Sequence, residues 1–106
     1  MVTAAIERRR QPRLHPSFPL YADYAGRCRR VCDLSPSGAY VEDNACLPSG
    51  TPVTVSLWLN EYNVLELGAR VQHCHKGRGM GLRFTEIAES QQGELHHYLH
   101  QLQPAA

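Results

Sequence analysis

Seven arginines stand among the first 30 residues, at positions 8, 9, 10, 13, 27, 29 and 30, against only Glu7 and Asp23. That local balance of +5 leaves −4 on residues 31–106 of a chain whose formal net charge is +1. The guanidinium is a planar fork of donors that matches phosphate oxygens and the O6/N7 edge of guanine. These residues are therefore suited to an anionic partner, with guanine as a base they can read. The bland alternative is a solvated basic terminus.

Two spacings sharpen the first reading. Arg9 and Arg13 form an RxxxR pair preceded by Arg8, and Asp33, Ser35 and Gly38 form a DxSxxG turn about 20 residues further on. A carboxylate accepts from the N1 and N2 hydrogens of guanine or orients an arginine. A glycine turns the backbone sharply and permits close approach. Taken singly, Asp33 and Ser35 equally suit a turn closed by their own side chains.

The four cysteines and six histidines raise metal and thiol chemistry. None of the cysteines has paired CxxC spacing, so no metal site is expected. Cys28 and Cys32 fall on one face of a strand and suit small apolar fillers. His96 and His100 are explained by an exposed polar helix face. His73, Cys74 and His75 are strand neighbours that point alternately to opposite faces, with no triad beside them, so no enzyme is expected. A domain of this length can bury a core without a staple, and in a reducing compartment a disulfide is not expected.

The elements that position these residues are read from periodicity. Period-2 alternation runs from residue 14 to residue 85: Leu20, Ala22 and Tyr24, then Arg27 to Leu34, Ala39 to Glu42, Thr51 to Leu59, Val64 to His75, and a last strand carrying Met80, Leu82 and Phe84. Val53, Val55, Leu57 and Leu59 form one inward set, and Leu65, Leu67, Ala69 and Val71 another. Pro16 and Pro19 demote the opening stretch to an edge or irregular strand. Leu95, Tyr98, Leu99 and Leu102 keep helical spacing, with Ser90 as the expected N-cap and Pro104 as the stop. The expectation is an all-β domain over 14–103, a six-stranded antiparallel barrel or a sandwich, with one C-terminal helix over about 90–103. Residues 1–13 form a flexible arginine-rich segment ahead of it.

Composition excludes several classes. Hydrophobic residues make up 42% and charged residues 20%, an ordinary globular mixture. No apolar run approaches a membrane span and Met1 to Arg10 lacks the apolar stretch of a secretory signal, so a cytoplasmic protein without membrane insertion is expected.

The segment Glu7 to Arg13, followed by Asp33-Leu34-Ser35-Pro36-Ser37-Gly38-Ala39-Tyr40-Val41, resembles a PilZ domain, and the likeness continues through Gly68 to Val71 and Gly81 to Phe84 into the closing helix. The resemblance implies a six-stranded antiparallel β-barrel that acts as a bacterial receptor for cyclic di-GMP. By position it assigns Arg9 and Arg13 to guanine edges and phosphates, and Asp33, Ser35 and Gly38 to the guanine base on the barrel surface. Arg8 stands where an arginine in the family accompanies a stacked pair of ligands, which implies two cyclic di-GMP molecules per chain. Three charge-assisted contacts supply roughly 5 to 9 kcal/mol before the ordering cost, while micromolar affinity needs about 8 kcal/mol. Stacking must supplement them; guanidinium planes can provide it, whereas Trp58 can equally be covering the barrel.

The expected mechanism is a switch in which the ligand neutralises and pins the Arg8 to Arg13 segment, and the new surface, with the helix around Tyr98, is read by a protein partner in motility, biofilm or exopolysaccharide machinery. Two other classes compete. One is a PilZ-like adaptor that works without nucleotide. The other is a small barrel that binds nucleic acid, which the localised charge disfavours, so neither DNA nor RNA is expected as partner.

Overall fold

The structure, a computed structural model, describes residues 20–101. Its strands are β1 (Tyr21–Tyr24), β2 (Arg27–Ser35), β3 (Gly38–Glu42), β4 (Pro52–Asn60), β5 (Asn63–His75) and β6 (Gly79–Glu86), followed by helix α1 (Glu89–Gln101). They close into a barrel in the order β1-β2-β3-β6-β5-β4, with every neighbouring pair antiparallel. Closure leaves no unpaired sheet edge. Of the two all-β architectures the alternation allows, the chain adopts the barrel.

Alternation explains the wall. Val55, Leu57 and Leu59 of β4 and Leu65, Leu67, Ala69 and Val71 of β5 are buried, while Thr54, Trp58 and Glu66 between them are exposed. Ala25 and Gly26 join β1 to β2 with φ of 50° and 75°. That left-handed pair is what a two-residue hairpin needs to match the strand twist. Leu95 and Leu99 of α1 join the same buried cluster as the strand residues, and Tyr98 packs against it.

Three expectations need correction. Ser90 is not the N-cap: α1 begins at Glu89, and the Gln92 N–H already donates to the Ala88 carbonyl at 2.9 Å. Cys28 and Cys32 share a face, but Cys28 is exposed and Cys32 half-buried; the core side of β2 is taken by Val31 and Leu34. Cys46, in the loop after β3, and Cys74, near the end of β5, form a disulfide across a sequence separation of 28. Strand order, which spacing does not encode, brings them together. Leu102 and the segment before Leu20 lie outside the described residues.

Candidate functional site

Two breaks in register decide which way the site residues face. On β2, Val31 pairs with Val41 and Asp33 with Tyr40, so Cys32 is an extra residue in the ladder. On β5, Val71 pairs with Leu82 and His73 with Gly81, so Gln72 is extra there. Val31 and Val71 are buried. Strict alternation would therefore send Asp33, Ser35, His73 and His75 inward; each bulge flips the phase that follows it. The result is a set of rows across four strands on the outer wall. One runs Ser35, Gly38, Arg83, Arg70; the next runs Asp33, Tyr40, Gly81, His73; the third runs Glu42, Gly79, His75.

The DxSxxG residues are brought together at the β2–β3 turn. The Ser37 N–H donates to Ser35 Oγ at 3.3 Å, and Ser35 Oγ donates to the Gly38 carbonyl at 3.4 Å. Ser35 is 8% exposed, so its hydroxyl serves the turn while Asp33 stands beside Tyr40 on the outer wall. Gly38 is needed for closeness rather than for an unusual φ. A Cβ there would sit 2.3 Å from the Leu82 carbonyl oxygen of β6. Gly38→Ala is accordingly expected to cost about 1 to 3 kcal/mol by forcing β3 from β6, measurable as a lowered urea midpoint.

Beside the turn lies a depression of ≈ 460 Å³ lined by Cys32, Asp33, Tyr40, Glu42, His75 and Arg78. The Tyr40 hydroxyl and His75 Nδ1 are hydrogen-bonded at 2.9 Å. The rings of Tyr40, His73 and His75 lie within 6.2 Å of one another by centroid. Missing side chains make room for them: a Cβ on Gly79 would meet the Tyr40 ring at 2.8 Å, and one on Gly81 the His73 ring at 2.6 Å. Burial, then the charge of Glu42, pushes the Cys32 thiol up, away from its thiolate form.

The arginines divide. Arg27 and Arg29 serve the interior through Asp43, whose side chain is fully buried: Arg27 lies 2.8 Å and Arg29 3.5 Å from its oxygens. The Tyr24 hydroxyl donates to Asp43 at 2.7 Å and the Ala45 N–H at 3.0 Å. Burial alone would raise the Asp43 pKa, but the Ala45, Tyr24 and Arg27 hydrogen bonds and the Arg27 charge outweigh it and hold it at about 2. Burial, and then the bond to Asp43, push the Tyr24 phenol well above its ordinary range. Part of the N-terminal cationic excess is thus structural. Arg8, Arg9 and Arg13 lie outside the described residues. Trp58 belongs to the far wall, opposite Tyr21 of β1, with its Nε1–H donating to Asp23 at 3.0 Å.

Sequence reasoning missed Tyr40, His73, His75 and the two cations Arg78 and Arg83. The only signal for the rings was Gly79 and Gly81, two glycines with strand spacing that leave room for neighbouring side chains. Among the described residues no cluster of His, Cys, Asp and Glu could hold a metal ion, and no helix is long and apolar enough to cross a membrane.

The chain is thus a closed six-stranded antiparallel barrel with a polar and aromatic cluster on its outer wall. The PilZ domain profile matches residues 7–101, and the chain belongs to the PilZ domain family. Its fold is similar to that of the Bacillus subtilis inhibitor of motility (MotI/DgrA), with a TM-score of 0.73 at 21% identity over 89% of this chain and 50% of that one. This chain therefore spans about half the length of that protein. It is similar to the PilZ domain of CeSA from a cellulose-synthesizing bacterium, with a TM-score of 0.57 at 27% identity over 79% of this chain and 90% of that one. It is also similar to PlzA of Borreliella burgdorferi, solved in complex with c-di-GMP, with a TM-score of 0.56 at 16% identity over 92% of this chain and 38% of that one. A search of curated protein sequences finds no match.

Proposed function

We propose that this chain is a receptor for cyclic di-GMP. Arg9 and Arg13 grip phosphates and guanine edges, Asp33 reads a guanine, Ser35 holds the turn that presents it, and Gly38 lets the turn lie close to the wall. One observation carries the reading: the bulge at Cys32, which buries Leu34, in the same step turns Asp33 onto the outer wall beside Tyr40, where it lines a depression with Tyr40, Glu42, His75 and Arg78. The family match, which spans Arg9 and Arg13 as well as the turn, and the c-di-GMP complex of a fold relative support it. Ligand binding orders the arginine segment against the barrel, and the surface so formed is read by a protein partner; the chain binds and relays rather than catalyses.

Calorimetric titration with cyclic di-GMP tests this. Arg9→Ala and Arg13→Ala each remove a charge-assisted contact worth about 1.5 to 3 kcal/mol, so each is expected to weaken binding by about ten- to a hundredfold. Saturation at two ligands per chain, falling to one in Arg8→Ala, is the expected stoichiometry. Absence of binding by the unmutated protein would sink the receptor reading.

A further inference from the structure

We propose that Tyr40, His73 and His75 form a stacking shelf for a guanine base, with Asp33, Glu42 and Arg78 reading its edges. This inference rests on the receptor reading and adds to it where the base lies and what holds it.

Three observations carry the shelf. Two of the rings are held from behind, Tyr40 lying over Gly79 and His73 over Gly81, so those two are backed by bare strand. The 2.9 Å bond between the Tyr40 hydroxyl and His75 Nδ1 ties two of the rings to each other. Two of the rings, Tyr40 and His75, line a depression whose other lining groups include two carboxylates and one guanidinium, Asp33, Glu42 and Arg78. Aromatic faces attract bases of any kind; the charges select among them.

Those charges identify the occupant as the base and not the phosphate. Asp33 and Glu42 are acceptors and would repel a phosphate group. Guanine presents N1–H and N2–H donors along one edge, which suit the carboxylates, and O6/N7 acceptors along another, which suit Arg78. Adenine offers an N1 acceptor where guanine has a donor, and this would face a carboxylate unpaired. The shelf therefore supplies stacking that the arginines alone do not, and Trp58, on the far wall, takes no part.

Cyclic di-GMP is the probe. Tyr40→Ala is expected to weaken its binding about tenfold or more, Tyr40→Phe to recover most of that loss, and Trp58→Phe to bind as the unmutated protein does. Cyclic di-AMP is expected to bind at least tenfold more weakly than cyclic di-GMP. In the unmutated protein, where folding is not in question, the imidazole Cε1–H resonances of His73 and His75 are expected to move upfield as ligand is added, because a stacked base shields them. If the unmutated protein binds while these resonances stay in place, or if folded Tyr40→Ala binds as tightly, the shelf is wrong and the receptor reading stands. If cyclic di-AMP binds equally well, the edge assignment is wrong. No binding at all overturns both.

Discussion

Asp43→Ala is expected to lower the stability of the barrel by about 3 to 5 kcal/mol, the cost of removing one partner from a buried ion pair. The carboxylate is the common acceptor for Tyr24, Arg27 and the Ala45 N–H. Its loss strands a buried phenol and deprives Arg27 and Arg29 of their shared carboxylate. Since small domains have only about 5 to 15 kcal/mol in total, that loss is a large fraction of the stability and should lower the urea midpoint markedly. Asp43→Asn keeps the shape and the acceptor oxygen but not the charge, and should lose less. Equilibrium urea unfolding of the three proteins checks the order; equal midpoints for Asp43→Ala and the unmutated chain would overturn the role given to this network.

The same network fixes an acid dependence. Asp43 is lowered from 3.8 to about 2 on folding, so the unfolded chain binds the proton more tightly than the folded one. Its contribution is therefore full above about pH 4 and disappears as pH falls through about 2. A shift of that size corresponds to about 2 kcal/mol. Unfolding midpoints measured from pH 6 down to pH 2 should fall less steeply in Asp43→Asn, which has no proton to gain at that position.

Most of the barrel was legible because its inward sets are uninterrupted: the runs from Val53 to Leu59 and from Leu65 to Val71 each keep one phase. The site was only half legible for the opposite reason. Asp33, Ser35 and Gly38 stand in a recognisable spacing, but the direction they face depends on Cys32 being skipped in the ladder, and its one trace in the sequence, a three-residue step from Val31 to Leu34, reads as easily as the end of a strand. The same holds for His73 and His75, which strict continuation of Leu65, Leu67, Ala69 and Val71 would bury. Arg27 and Arg29 read as part of a cationic surface because Asp43, their partner, is 16 and 14 residues away in sequence and meets them only when β3 folds back beside β2. The pairing of Cys46 with Cys74 was hidden similarly, since it follows from the position of β5 relative to the loop after β3.

Reduction of that disulfide is the second large effect, and its mechanism differs from that of Asp43. Closing a loop with a sequence separation of 28 restricts the unfolded chain by an entropy equivalent to roughly 3 to 4 kcal/mol. The fold itself needs no staple, because the buried cluster runs from Leu20 to Leu99 without contribution from either sulfur except at the partly buried Cys46. The double variant Cys46→Ser, Cys74→Ser and the protein in dithiothreitol should therefore both remain folded, with urea midpoints lowered alike. Asp43 lies three residues from Cys46 in the same connection, and neighbouring sites ordinarily couple. Here they should not: the disulfide acts on the unfolded ensemble and Asp43 on the folded one, so Asp43→Asn should cost about the same, within roughly 0.5 kcal/mol, in oxidised and reduced protein. A markedly smaller cost after reduction would mean that the disulfide holds the Asp43 loop in place in the folded state, and that loop entropy is the wrong account of its contribution.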